Sequence, residues 1–249
     1  MAGVREDGSH TIFKKDGTPV ANIFSQSSFA THALVNVNNI TKVDDDVDLR
    51  LVGPLGCGFA TGAGTVTNGL KPRANSSIAV FGTGAVGLGA MMAAIIEGCT
   101  TVIAIDIHDS RLELAKELGA THTMNSMTEH LNERIKEITG GKGVDYSIDT
   151  TGVSAVMKSS IDVLAVRGVA APIAVTPNTL ELNTSQDLVP TNRTIIGVLM
   201  GDSIPQITIP QLIEYYKKGQ FPIDILVKYY KFEDINQAAA DSNSGKTIK

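Results

Sequence analysis

The 249-residue chain has no tryptophan and only 5% aromatic residues, too few rings for a stacking platform that grips single-stranded nucleic acid. Positive charge is not in surplus either. Lys and Arg number 21 against 26 Asp and Glu, for a formal net charge of −5, so nucleic acid is not an expected partner. Cysteine occurs twice, at Cys57 and Cys99, in no CxxC spacing, which excludes a disulfide framework and a complete cysteine-based zinc site. No apolar run is long enough to cross a bilayer; the nearest, 78–96, is rich in glycine and reads as a strand plus a helix. MAGVREDGSH has no apolar segment behind it and does not read as a signal peptide. A cytoplasmic enzyme, or part of one, with no membrane partner is the expectation.

What is present suits an ordinary globular chain. Apolar residues make up 43%, mean hydropathy is +0.08, and the length suffices to bury a core. Residues 1–56 read as strand and turn, with a turn signal at Lys15–Asp–Gly–Thr–Pro19, an alternating strand over 29–37, and a solvated acidic turn at Asp44–Asp–Asp46. From Ser76 the rhythm changes. Strands are predicted over 78–81, 101–106, 122–125, 144–149, 169–175 and 195–200. Helices are predicted over 86–97, 110–118 (opened by a Ser110…Glu113 capping box), 128–139 and 154–164. Six short strands alternating with helices predict an α/β fold with a doubly wound parallel sheet. After Gly201 the alternation stops: a helix over 210–218 with Pro210 in its first turn, a strand over 225–230 and a helix over 233–241 are expected. The flanks most economically belong together, which divides the chain into 1–57, 58–200 and 201–249.

The sharpest signal is Gly82–Thr83–Gly84–Ala85–Val86–Gly87, a GxGxxG that leaves a predicted strand and opens a predicted helix. A second strand follows and ends in Asp106, 19 positions after Gly87, the spacing of a dinucleotide-binding corner. Gly82 permits the tight turn, Gly84 removes the Cβ that would block a diphosphate, and Gly87 lets the helix lie against the sheet. The helix N-terminus offers amide N–H groups and partial positive charge to phosphates. Asp106 can accept hydrogen bonds from both ribose hydroxyls and repels a 2′-phosphate, which favours NAD over NADP.

Gly56–Cys57–Gly–Phe–Ala–Thr61–Gly62–Ala–Gly64 resembles the GCxxxTGxG segment of the zinc-dependent medium-chain alcohol dehydrogenases. "PRANSSIAVFGTGAVGLGAMMAA", "RLELAKELGATHTMN", "GKGVDYSIDTTG", "NRTIIGVLMGDS" and "YKKGQFPIDILVKYYKFEDINQAAADSNSGKTIK" extend the likeness over nearly the whole chain from Phe24, nearest to the aryl- and benzyl-alcohol branch. The resemblance implies a Rossmann domain flanked by remnants of a mostly-β, GroES-like catalytic domain. It also implies hydride transfer between an alcohol or aldehyde and NAD(H), with zinc lowering the pKa of the alcohol. By that likeness Cys57 is a zinc thiolate and Thr61 a catalytic contact to the nicotinamide. Ala174, Val175, Leu199 and Met200 line the same ring, Ile107 and Arg111 flank the adenosine, Thr150 joins the coenzyme residues, and Phe29 lies toward the substrate. Cys99 is expected in the core. His10, His32, His108, His122 and His130 show no ligand spacing, with His108 alone near the adenosine.

The family's other catalytic zinc ligands, an early Cys and a Gly-His-Glu segment, do not occur in the chain, and neither does its four-cysteine structural-zinc lobe. One thiolate cannot hold zinc in an open three-ligand site. The expectation is therefore a truncated member that binds NAD(H) with little or no dehydrogenase activity. A non-catalytic NAD-binding module and a zinc-free medium-chain reductase are the alternatives, the latter disfavoured by Cys57. An apolar edge strand near 188–200 implies a homodimer or homotetramer.

Overall fold

The computed structural model describes residues 3–5, 7–10, 12–21, 31–33 and 35–249. The chain divides into two compact units, Met1–Lys42 and Val43–Lys249. In the first, β1 (Ile12–Phe13) pairs antiparallel with β2 (Pro19–Val20). The predicted turn between them forms: Gly17 sits at φ +82 and donates to the Lys14 carbonyl at 3.0 Å, a left-handed position glycine takes without steric strain. Of the strand expected over 29–37, Phe29, Ala30 and Leu34 lie outside the described residues, and Val37–Asn39 is a 3-10 turn.

The second unit is built on a six-stranded sheet. Its elements are α1 (Leu49–Val52), α2 (Gly58–Gly64), β3 (Ser77–Phe81), α3 (Ala85–Ile96), β4 (Thr101–Asp106), α4 (Asp109–Glu117), β5 (His122–Asn125), α5 (Leu131–Ile138), β6 (Val144–Asp149), α6 (Ser154–Asp162), β7 (Leu164–Pro172), β8 (Thr194–Ile195), α7 (Pro205–Lys217) and α8 (Ile235–Asn243). The strands run parallel in the order β5-β4-β3-β6-β7-β8. That is the doubly wound arrangement, in which the winding direction reverses beside β3 and opens a crevice at the strands' carboxyl ends.

The sheet is buried on both faces. Ile78, Val80, Val102 and Ala104 belong to one apolar cluster, whereas Ala79, Phe81, Ile103 and Ile105 belong to the other. Side chains alternate across a strand, so a strand covered on both sides must be apolar throughout. That is why "SIAVF" and "TVIAI" carry no polar alternation. The helix α3 is likewise buried from Gly87 to Ala94, because α2 covers the side that the sheet does not. A Cβ on Gly62 would stand 2.8 Å from the Ala90 nitrogen, so these helices cross backbone against backbone.

Several boundaries depart from the sequence reading. The Ser110…Glu113 capping box does not form. α4 starts at Asp109 with His108 as its cap residue and no capping side chain, which leaves Ser110 inside the first turn rather than at the cap. Pro210 lies inside α7, and the proline of its first turn is Pro205. β7 begins at Leu164, inside the predicted α6 helix, and ends at Pro172 before residue 175; its pairing with β6 shifts register between Val144 and Tyr146. The sixth strand is only two residues, and Met200–Asp202 is a 3-10 turn. No strand forms over 225–230; Asp224–Leu226 is a 3-10 turn and the Lys228 N–H bonds the Lys249 carbonyl at 2.9 Å. The acidic turn is not merely solvated, since Lys217 of α7 reaches Asp46 at 3.0 Å and Asp44 at 3.7 Å.

Candidate dinucleotide site

The site grows from the turn between β3 and α3. Gly82 leaves the strand at φ +88, a conformation that favours glycine. A side chain there would also strike Thr150, whose hydroxyl donates to the Phe81 carbonyl at 2.9 Å. Gly84 is the residue before α3, and no atom lies within 4 Å of the place its Cβ would take. Gly87 is the opposite case: its Cβ would run into the Gly82 carbonyl and stand 3.3 Å from Val80 Cγ1. One glycine thus faces open space and the other a backbone wall, as a phosphate cradle and a helix–sheet contact respectively require. Ala85 and Val86 form the first turn of α3, with their N–H groups at its positive end.

A cavity of about 550 Å³ opens there. Gly82, Gly84, Asp106, Ile107, Arg111 and Thr150 line it, whereas Thr83, Ala85, Val86 and Gly87 of the same expected set do not. His108, the cap residue of α4, lines it as well.

Asp106 is 7% exposed and receives four protein donors. Oδ2 accepts from the Thr83 N–H at 2.7 Å and the Thr83 hydroxyl at 2.8 Å. Oδ1 accepts from the N–H groups of Ile107 at 2.8 Å and His108 at 3.0 Å. Burial pushes this carboxyl up, but the donors of Thr83, His108 and Ile107 outweigh it and hold it below the ordinary value. Arg111 Nη1 lies 4.0 Å from Oδ2, while its Nη2 donates to the Gly245 carbonyl at 3.2 Å.

The residues expected at the nicotinamide end are only partly gathered. The Thr61 hydroxyl lies 3.9 Å from Met200 Sδ. The turn carrying Met200 is pinned to the segment Thr65–Leu70 that follows α2, since Asn68 Nδ2 donates to the Gly201 carbonyl at 3.0 Å. Leu199 next to it is 66% exposed. Ala174 packs toward Gly152, and Val175 is 96% exposed. Cys57 is exposed at the start of α2, and Cys99 is buried 3.4 Å from the Ser76 hydroxyl. Among the described residues no group of three or more His, Cys, Asp or Glu is arranged to hold a metal ion. Zinc does not fit what these residues offer, because one thiolate cannot make the three-ligand site.

Two site features escape the sequence reading. Asp149 is fully buried at the end of β6 and accepts from the Thr151 hydroxyl at 2.7 Å and the Gly152 N–H at 3.0 Å, which fixes the loop under Gly82. The "IDTTG" segment, with an acid two and three residues before its donors, was the available signal. Lys249 Nζ stands 3.9 Å from the Cβ position of Gly58, and the Ala85 Cβ stands 3.6 Å from that same point. Both groups therefore lie beside Gly58, and nothing local in the sequence announces it.

Residues 85–218 match the family described as zinc-binding dehydrogenase. Among solved structures, an alcohol dehydrogenase zinc-binding domain protein from Burkholderia ambifaria superposes with a TM-score of 0.92 at 48% identity, covering 99% of this chain and 67% of that one. Benzyl alcohol dehydrogenase from Acinetobacter calcoaceticus gives 0.89 at 43% identity, covering 97% and 67%. Among curated proteins, geraniol dehydrogenase from Castellaniella defragrans is 39% identical over 98% of this chain, which spans 66% of that relative's length. The family match begins at Ala85, just after Gly84, and extends over more than half of the sequence, so the chain belongs to the zinc-binding dehydrogenase family.

Proposed function

We propose that the chain is the NAD-binding portion of a zinc-dependent alcohol dehydrogenase that moves hydride between an alcohol, aryl or benzyl in type, and NAD. The observation that carries this reading is the pairing of an open Gly84 with Asp106 across one 550 Å³ crevice. The amides of the α3 first turn face the diphosphate. Asp106 takes the adenosine ribose, and its charge disfavours a 2′-phosphate. Ile107 and Arg111 flank the adenosine, and Thr150 supports the turn beneath it. Thr61, Ala174, Val175, Leu199 and Met200 border the nicotinamide, supported by the Thr61–Met200 contact. When bound, NAD supplies the hydride acceptor; the residues named here bind and orient it.

The alcohol-dehydrogenase relatives support the substrate class, benzyl alcohol dehydrogenase among them. In the intact protein residues 58–200 form the nucleotide domain, and 1–57 with 201–249 belong to a catalytic domain. This chain by itself has little or no turnover, and a non-catalytic coenzyme-binding role is the second reading. Both are favoured by the lack of a three-ligand metal group among the described residues. A cytoplasmic homodimer or homotetramer completes the proposal. Its support is β8, a two-residue strand at the sheet edge, with Val189 beside it 71% exposed.

The test is fluorescence titration with NADH and NADPH, with metal analysis of the same sample. Saturable NADH binding, weaker NADPH binding and less than one zinc per chain are expected. Absence of NADH binding by folded protein refutes the coenzyme assignment, and turnover of benzyl alcohol with zinc dependence refutes the inactivity. Sedimentation against concentration tests the assembly; a monomer at every concentration counts against it.

A further inference from the structure

The Asp106 carboxylate has about four acceptor positions, and four protein donors converge on it. Three of them are backbone N–H groups, of Thr83, Ile107 and His108. They are fixed by the turn from β3 into α3 and by the turn from β4 into α4, and cannot move away without dismantling the corner. The fourth is the Thr83 hydroxyl, which can swing about a single side-chain bond. A ribose hydroxyl that donates to this carboxylate needs an acceptor position, and only that hydroxyl is able to yield one.

We infer that the Thr83 hydroxyl holds the acceptor position on Asp106 that an adenosine ribose hydroxyl takes, so that Thr83 sets nucleotide affinity by competition. The inference rests on the dinucleotide reading and specifies how that site is tuned. Its consequence runs against intuition. Thr83 is 1% exposed and bonded to the binding carboxylate, so a positioning role would make its hydroxyl indispensable. Under competition, removing the hydroxyl improves binding. The thr-to-val shape change is small, and Asp106 keeps its three N–H donors.

The experiment compares wild type with Thr83→Val, Thr83→Ala and Thr83→Ser. Ligands are NADH, ADP and 2′,3′-dideoxyadenosine diphosphate, measured by calorimetric titration, with melting curves to verify folding. Thr83→Val and Thr83→Ala are expected to bind ADP and NADH about three- to tenfold more tightly, the size of one exchanged hydrogen bond. Binding of the dideoxy compound stays unchanged, and Thr83→Ser retains wild-type affinities. A merely structural role would shift all three ligands together. Unchanged or weaker ADP binding by either folded variant overturns the inference. Failure of folded wild-type protein to bind NADH or ADP at all removes the dinucleotide reading itself, and the inference with it.

Discussion

Gly84 and Gly87 are two glycines of the same motif, yet replacing each by alanine should fail in a different way. At Gly84 the backbone is extended, with φ −76 and ψ −170, and the added methyl meets no atom within 4 Å. Alanine at a helix N-cap costs about 0.5–1 kcal/mol relative to glycine, and the loss of chain freedom in the unfolded state returns about 0.4–1 kcal/mol. Stability should therefore stay within about 0.5 kcal/mol of wild type. The methyl does enter the space the diphosphate requires. Loss of one charge-assisted hydrogen bond, at about 1.5–3 kcal/mol, weakens binding by about ten- to 150-fold. At Gly87 the methyl would press into the Gly82 carbonyl and stand 2.9 Å from the Gly82 carbonyl carbon. Backbone cannot step aside as a flexible side chain can, so the overpacking penalty is about 1–3 kcal/mol or more. For a chain of this size that lowers Tm by roughly 2–12 °C. Thermal melts and NADH titration of both variants form the assay. The reasoning is refuted if Gly84→Ala binds NADH as wild type does, or if Gly87→Ala melts at the wild-type temperature.

Gly62→Ala should also lower Tm, since its methyl would stand 2.9 Å from the Val86 carbonyl carbon and force α2 off α3; an unchanged melt would show that the two helices can slide. Asp241 accepts from the Tyr230 hydroxyl at 2.6 Å and from Gln237 at 2.8 Å, and these bonds hold its pKa down to about 2. A depressed carboxyl stabilises the fold above its unfolded value near ~4 and loses that contribution as pH falls toward its folded value. Asp241→Asn should therefore flatten the decline in Tm between about pH 4 and pH 2, and an acid limb identical to wild type would refute the assignment. Asp106, also held below the ordinary value, should give NADH affinity that falls only at pH below the usual carboxylate range; loss already at pH 5–6 would contradict it. Of the two thiols, exposed Cys57 should react with a thiol-labelling reagent first. Burial pushes the Cys99 thiol up beside Ser76, so equal labelling rates would be inconsistent with this packing.

The parts of the molecule legible in sequence are those whose signal is local. Unbroken apolar strands, the spacing of Gly82, Gly84 and Gly87, and an acid at the end of β4 each follow from constraints within a few residues or within one strand-helix-strand unit. Those constraints determined the α/β class and the nucleotide corner. Helix and strand ends were read less well. The Ser110…Glu113 pattern fits a capping box, yet the helix begins one residue earlier, at Asp109, and leaves Ser110 inside its first turn. Likewise 225–230 looks like a strand by composition, but no neighbouring strand pairs with it, and a lone strand has no ladder to complete.

What tertiary structure decided is the meeting of distant residues. The Thr83 hydroxyl reaches Asp106 across 23 positions, Arg111 bonds Gly245 across 134, and Thr61 touches Met200 across 139. The sequence alone set which residue types can line a diphosphate cradle, because a missing Cβ and a left-handed turn are properties of single residues. It could not set how many donors crowd the Asp106 carboxylate, because that count depends on where two separate strands end side by side.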